Sequence, residues 1–183
     1  MPFTHHTAQS APAAVRPTMA AIEGKFGFLP APVALMSESP ELLQAFTRSN
    51  ALFERGTLTE LEREVLVLTI ATRNECHVCV ALHTASLTRA AAPEELVTAL
   101  RARKPLADPR LEAIRVFTLA VLDAAGGVSE AQMQAFLDHG YTRRNALEVV
   151  LGVGAYTLST FANRMTDAPL DEAFAPFAWE GAA

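Results

Sequence analysis

The sequence has little cysteine, no excess of basic residues and no long hydrophobic run. Lys and Arg total 15 against 20 Asp and Glu, a net charge of −5 without the basic surface that nucleic-acid binding requires. The longest nearly apolar stretch, residues 149–158, is too short to cross a bilayer, and no signal peptide is visible. We therefore expect a cytoplasmic protein that binds neither nucleic acid nor membranes. In that reducing compartment a close cysteine pair is more often catalytic or metal-binding than a structural disulfide.

Helix start and stop signals recur along most of the chain. Thr59 with Glu62 and Ser129 with Gln132 form capping boxes, and glycine follows several predicted helix ends. The predicted helices cover about residues 40–55, 59–72, 74–91, 109–126, 129–140 and 142–164, with another beginning at residue 93. No segment alternates with the period of a strand, so the sequence predicts an all-α bundle. We expect one domain, residues 17–175, between a flexible arm, residues 1–16, and a tail, residues 176–183.

The last predicted helix is apolar on more than one side. Its apolar residues include Val149, Val150, Leu151, Val153, Tyr156, Leu158 and Phe161. A helix of this kind lies either at the centre of a bundle or at a contact between subunits, because a small domain has little interior to cover it. We expect a homo-oligomer.

The two cysteines lie together in the sequence Cys76-His77-Val78-Cys79, and His83 follows one turn later. In a helix, Cys79 lies about 60° and His83 about 20° from Cys76, whereas His77 lies about 100° away. Two thiols and one imidazole therefore share a face. With Asn74 as the predicted N-cap, Cys76 lies in the first turn, where the helix dipole lowers a thiol pKa. This arrangement suits dithiol redox chemistry, in which a nearby base forms a thiolate and a second sulfur closes a disulfide.

A carboxylate on the preceding helix is a candidate partner for this set. Glu64 lies at the edge of the core-facing stripe of that helix, so it pairs either with His83 or a thiol, or with nearby Arg63 on the helix flank.

The sequence also leaves two candidates for the thiol that attacks the substrate. The helix dipole favours Cys76 as the more acidic thiol, whereas the spacing to His83 favours Cys79, which we predict to attack because a positioned base also times the proton transfer.

The set of Glu64, Cys76, Cys79 and His83, at this spacing, resembles the alkyl hydroperoxidase D and carboxymuconolactone decarboxylase superfamily in its peroxidase-related branch. Further similar segments are Phe26–Pro30, Gly56–Thr59, Glu62–Glu64, Ala107–Leu111 and Asn145–Leu158. The resemblance covers about residues 17–175. It implies an alkyl-hydroperoxidase-D-like all-α bundle, with the cysteine pair at the N-terminal end of a central helix, and a homo-oligomer.

The same resemblance implies an antioxidant cysteine-based peroxidase that uses no haem, flavin or metal. Its substrate is a hydroperoxide, and an unknown thiol electron donor protein reduces the enzyme afterwards. Cys79 is then the peroxidatic thiol, Cys76 donates a proton and resolves the sulfenate as a disulfide, and Glu64 and His83 form a proton relay through water.

Three other interpretations fit the same residues. Cys76, Cys79 and His83 can bind zinc if His5 or His6 supplies a fourth ligand. The fold can also support a cofactor-free acid–base reaction of the carboxymuconolactone decarboxylase type, although those enzymes do not rely on a cysteine pair. Lastly, two cysteines on a core face can be inert and only pack.

Overall fold

The structure, a computed structural model, describes residues 3–181, and the only regular secondary structure in those residues is helical. In chain order the helices are α1 (Arg16–Phe26), α2 (Ala31–Met36), α3 (Pro40–Glu54), α4 (Glu60–Arg73), α5 (His77–Arg89), α6 (Glu94–Arg101), α7 (Pro109–Asp123), α8 (Glu130–Asp138) and α9 (Arg143–Met165), with 3₁₀ turns at Ala13–Val15 and Glu172–Phe177. Residues 3–181 contain no strand, so the predicted all-α fold is confirmed.

Most predicted helix starts are confirmed by their caps. Thr59 and Glu62 form a reciprocal capping box at the start of α4, and Ser129 with Gln132 forms another at α8. The Ser39 side chain likewise accepts a hydrogen bond from a backbone N–H group at the start of α3. These side chains satisfy N–H groups that have no partner within their own helix, which fixes where each helix begins.

The predicted N-cap of the cysteine helix is wrong. Asn74 ends α4 instead, because its N–H group donates to the carbonyl of Ile70 at 2.8 Å. Glu75 then turns the chain with a left-handed φ of 55°, and Cys76 itself occupies the N-cap of α5. Asn suits both ends of a helix, so sequence alone did not separate these roles. The predicted location of the cysteine pair at the N-terminal end of a helix is nevertheless confirmed.

Helix α4 lies at the centre of the fold. It packs against α5, α7 and α9, and every residue from Val65 to Thr72 is buried. Helix α9 approaches closely at Gly152, where a Cβ atom would lie 2.8 Å from side-chain atoms of both Leu66 and Phe53. This contact brings the second half of α9 beside the start of α5. Within the described residues, no helix is long and apolar enough to span a membrane.

The segments outside the predicted domain contact the rest of the chain. In the predicted arm, Ala11 and Val15 are fully buried, and His6 Nε2 lies 3.0 Å from Glu38 Oε2. In the tail, Trp179 donates its indole N–H to the carbonyl of Arg101 at 3.1 Å. The first two residues of the arm and the last two of the tail lie outside the described residues, and the division into arm, domain and tail stays a prediction.

Candidate active site

Two free thiols lie at the start of α5. Cys76 is the N-cap and Cys79 is the third residue of the helix. Both are buried, with exposed fractions of 1% for Cys76 and 5% for Cys79. Because the first N–H groups of a helix have no partner in the helix and carry partial positive charge, this position favours a sulfur anion.

The pKa values of the two thiols move in opposite directions. The pKa of Cys76 is lowered to about 7, first by the hydrogen bond from the Cys79 thiol and then, against the cost of burial, by backbone N–H groups and Asn163. The pKa of Cys79 is raised by the neighbouring Cys76 sulfur and by burial, although Ser159 and Asn163 act in the other direction. The first thiolate therefore forms on Cys76, as the dipole argument predicts.

A histidine and a carboxylate complete the predicted set. His83 Nδ1 lies 2.8 Å from Glu64 Oε2, and because a carboxylate has no hydrogen to donate, Nδ1–H is the donor. Both side chains are largely buried. Of the two interpretations of Glu64, pairing with His83 is confirmed, while Arg63 donates to the carbonyl of Leu58 instead.

The histidine and the thiols are not joined by a hydrogen bond in the described residues. Since Nδ1 is bonded to Glu64, only Nε2 remains for proton transfer, and a bridging water or substrate oxygen is needed to reach a sulfur. The direct transfer considered from the sequence is therefore absent in this structure.

Helix α9 supplies three polar side chains that the sequence did not predict as part of the site. Asn163 Nδ2 lies 3.3 Å from Cys79 Sγ, and Ser159 Oγ lies 3.6 Å from the same sulfur. The rings of Tyr156 and His83 lie nearly perpendicular, with 5.2 Å between their centroids, and the Tyr156 hydroxyl donates to Asn50 Oδ1 at 2.8 Å. Burial raises the pKa of Tyr156, so it remains a neutral donor. The only signal in the sequence is the spacing of these residues along one face of an apolar helix.

A cavity of about 210 Å³ lies beside the carboxylate. Glu64 and Tyr156 form part of its wall, together with Phe53, Val67 and charged residues of α3 and α4, including Glu60. Because Glu64 and Tyr156 both contact His83, the cavity lies next to the imidazole. It is smaller than the roughly 300–1,000 Å³ of typical ligand pockets and its lining is more polar, so it has room for a few water molecules or a small polar group.

The zinc interpretation finds little support in the geometry. Within residues 3–181, no three His, Cys, Asp or Glu side chains form a set suited to a metal ion. His6 lies beside Glu38 and Ser10, and Nδ1 of His83 is engaged by Glu64. Of the side chains named as zinc ligands, His6 and His83 are therefore already paired with other groups.

Comparison with known proteins gives a matching family and several similar folds. A sequence model of the carboxymuconolactone decarboxylase family matches residues 40–120, which contain all four predicted site residues. The chain is 25% identical to an uncharacterized peroxidase-related protein from Ralstonia eutropha JMP134, an alkylhydroperoxidase AhpD core, with a TM-score of 0.81 over 94% of this chain and 93% of that one. A peroxidase-related protein from Silicibacter sp. TM1040 is 20% identical, with a TM-score of 0.76 over 90% of this chain and 88% of that one.

The fold also occurs in a debrominase. The debrominase Bmp8 is 16% identical to this chain, with a TM-score of 0.76 over 95% of this chain and 94% of that one. One of its structures is a complex with 2,3,4-tribromopyrrole. At this identity the similarity shows the fold alone. No significant match was found among curated proteins.

Proposed function

Because this chain belongs to the alkyl hydroperoxidase D and carboxymuconolactone decarboxylase superfamily, we propose that it is a thiol-dependent peroxidase that reduces alkyl hydroperoxides. One observation carries the proposal: two free thiols lie at the positive end of α5, one turn before a histidine that is bonded to a carboxylate. Such a set can form a thiolate, attack an electrophilic oxygen and close a disulfide.

The reaction runs in three balanced steps. The Cys79 thiolate attacks the terminal oxygen of a hydroperoxide, the O–O bond breaks, and the leaving alkoxide takes a proton to become an alcohol. The Cys76 sulfur then attacks the sulfur of the Cys79 sulfenic acid, which forms the disulfide and releases water. A protein with free thiols reduces the disulfide by two electrons and returns both cysteines to the thiol form.

His83 and Glu64 move the protons in this proposal. Nε2 of His83 accepts a proton from the thiol pair through a bridging water and returns it to the leaving oxygen. Glu64 holds the opposite ring nitrogen as a donor and stabilises the imidazolium that forms. The lowered pKa of Cys76 means that the thiol pair loses its first proton near pH 7. Attack by Cys79 then requires the remaining proton to lie on Cys76.

The chemistry of the thiols also distinguishes this proposal from the other interpretations. Two cysteines that only pack in a core are not expected to have a lowered thiol pKa, whereas the pKa of Cys76 is lowered to about 7. A cofactor-free decarboxylation does not need two adjacent sulfurs. A double Cys→Ser variant that kept full activity on a lactone would revive that alternative.

Peroxide titration of the reduced protein tests the proposal. We expect one equivalent of an alkyl hydroperoxide to remove both free thiols and form a Cys76–Cys79 disulfide, seen as the loss of two hydrogens in intact-mass spectra. With a panel of thiol reductants present, the protein should consume many equivalents. Thiols that persist for minutes under excess hydroperoxide would contradict the proposed function, since a thiolate beside a second thiol reacts readily.

We also propose that a second copy of this chain covers α9. Exposed apolar side chains line one side of this helix over its whole length: Leu147, Val150, Phe161 and Met165. They lie within about 60° of one another on the helical wheel, so they form a continuous stripe. A stripe of this length is typical of a helix contact between subunits.

The oligomer is tested by light scattering after size-exclusion chromatography. We expect the parent protein to elute as an oligomer and the Phe161→Glu variant to elute with a smaller mass, because a charge in an apolar contact has no partner. Val116→Glu is the matched control, since Val116 is an exposed apolar residue on α7, outside the stripe. A monomeric parent at micromolar concentration would remove the proposed contact.

A further inference from the structure

One buried amide contacts both sulfurs of the thiol pair. Asn163 on α9 has an exposed fraction of 3%, and its Nδ2 lies 3.3 Å from Cys79 Sγ and 3.8 Å from Cys76 Sγ. Nδ2 also lies 3.5 Å from Ser159 Oγ. An amide nitrogen has two hydrogens and no acceptor, so this side of Asn163 can only donate to the sulfurs. A donor at this position stabilises a thiolate more than a neutral thiol.

The other side of the same amide is unusual. Within residues 3–181, Asn163 Oδ1 is the one buried side-chain oxygen or nitrogen atom without a hydrogen-bond partner. Buried polar atoms nearly always have a partner, because leaving one unpaired is costly. The sulfurs beside Nδ2 are where the proposed reaction introduces a new O–H group, since a sulfenic acid has a hydroxyl on sulfur.

We propose that Asn163 is a catalytic residue of the thiol site: its N–H group stabilises the sulfur anion, and its carbonyl oxygen accepts the O–H of the oxygen that sulfur takes from the hydroperoxide. This inference rests on the proposed function. Cys79 is the nearer sulfur and bonds to the terminal oxygen of the hydroperoxide, while the alkoxide leaves. The hydrogen on that terminal oxygen stays with it. The same O–H is therefore present before and after transfer, and one acceptor serves both states.

Two further features of the site support this role. Asn163 is among the groups that lower the pKa of Cys76, and it also acts against the raised pKa of Cys79. Ser159 lies one turn before Asn163 and lies 3.6 Å from the sulfur of Cys79, so α9 presents two polar groups to the thiols. A side chain with a merely structural role would not need to donate to both sulfurs.

The test separates the donor role of the Asn163 N–H group from the acceptor role of its carbonyl oxygen. Asn163→Leu keeps the approximate volume but removes both donor and acceptor. We expect the thiolate absorbance of the reduced variant to rise at higher pH than in the parent, by about one pH unit. We also compare the two proteins at a pH where the thiol pair of each has fully lost its first proton. There we expect the variant to react with an alkyl hydroperoxide about tenfold more slowly than the parent, because the acceptor is missing too.

Thr160→Val is the matched control. Thr160 is a fully buried polar residue of the same helix, and its hydroxyl contacts Asn74 and the Tyr156 carbonyl rather than a sulfur. This variant should keep the parental thiol titration. If Asn163→Leu does not fold, Asn163→Asp has nearly the same shape and lacks the N–H donor, so it should move the titration upward still further.

Each outcome bears on one part of the inference. A parental titration in a folded Asn163→Leu or Asn163→Asp variant would overturn the donor role. A parental rate for folded Asn163→Leu at full ionisation would overturn the acceptor role. The titration needs no peroxide, so a parent protein that ignores hydroperoxides would refute the proposed function while the donor role of Asn163 is still decided.

Discussion

Replacing Cys79 by serine should abolish hydroperoxide consumption, whereas replacing Cys76 by serine should allow one turnover and then stop. The attacking group must be a thiolate, and a serine hydroxyl does not ionise at neutral pH, so we expect Cys79→Ser to lose more than about 1,000-fold in rate. The Cys76→Ser variant retains the attacking sulfur but has no thiol to displace the oxygen. It should therefore accumulate sulfenic acid on Cys79.

Stopped-flow consumption of an alkyl hydroperoxide and mass spectrometry after trapping with dimedone measure these two effects. The chain has only two cysteines, so the double Cys→Ser variant gives the background without any other thiol. Sulfenic acid found on Cys76 in the Cys79→Ser protein would reverse the order of attack but leave the dithiol chemistry in place. Parental consumption by both single variants would refute a cysteine-based reaction altogether.

The lower pKa favours Cys76 as the attacking thiol, whereas the shorter distance to Asn163 favours Cys79. The pKa of Cys76 is lowered because its sulfur accepts a hydrogen bond from the Cys79 thiol and, at the N-cap position of α5, from backbone N–H groups. Cys79 is the sulfur nearer to Asn163, at 3.3 Å against 3.8 Å for Cys76. The proton shared by the pair can lie on either sulfur, so the lower pKa reports where the thiolate forms first rather than which sulfur meets the oxidant.

The fold could be predicted well because local signals set most helix ends. The capping box of Thr59 with Glu62 depends on residues three apart, which sequence shows directly. The same local reasoning failed at Asn74, whose type suits both helix ends. There the choice depends on the left-handed turn at Glu75, which nothing in the residue type requires.

The candidate site could be predicted only where its residues are neighbours on one helix or on a consecutive pair. Cys76, Cys79 and His83 follow from the helical repeat, and Glu64 from its place on the preceding helix. Asn163 and Ser159 could not be assigned, since their contacts with Cys79 join residues 84 and 80 positions apart. Those contacts depend on how α9 crosses α4, which is set by packing at Gly152 rather than by a motif.

Replacing Glu64 by glutamine should reduce kcat/KM for the hydroperoxide by about 100-fold, because the relay would lose its charge while keeping its shape. The Glu64 carboxylate fixes the proton on Nδ1 of His83 and so leaves Nε2 as the base. An amide can still hydrogen-bond to the ring, but it does not stabilise the imidazolium. If its NH₂ group faces Nδ1, the ring must also adopt the opposite tautomer, which has no free lone pair toward the thiols.

Glu60→Gln is the matched control, since Glu60 lies one turn earlier on α4, lines the same cavity and does not bond to His83. We expect its kcat/KM to stay within about threefold of the parent, because removing an exposed charge changes little. A double-mutant cycle then tests whether the two groups act together. If Glu64 works only through His83, adding Glu64→Gln to His83→Ala should cost nothing further. Independent, additive losses would instead mean that Glu64 acts on the substrate from the cavity and that the proposed relay is wrong.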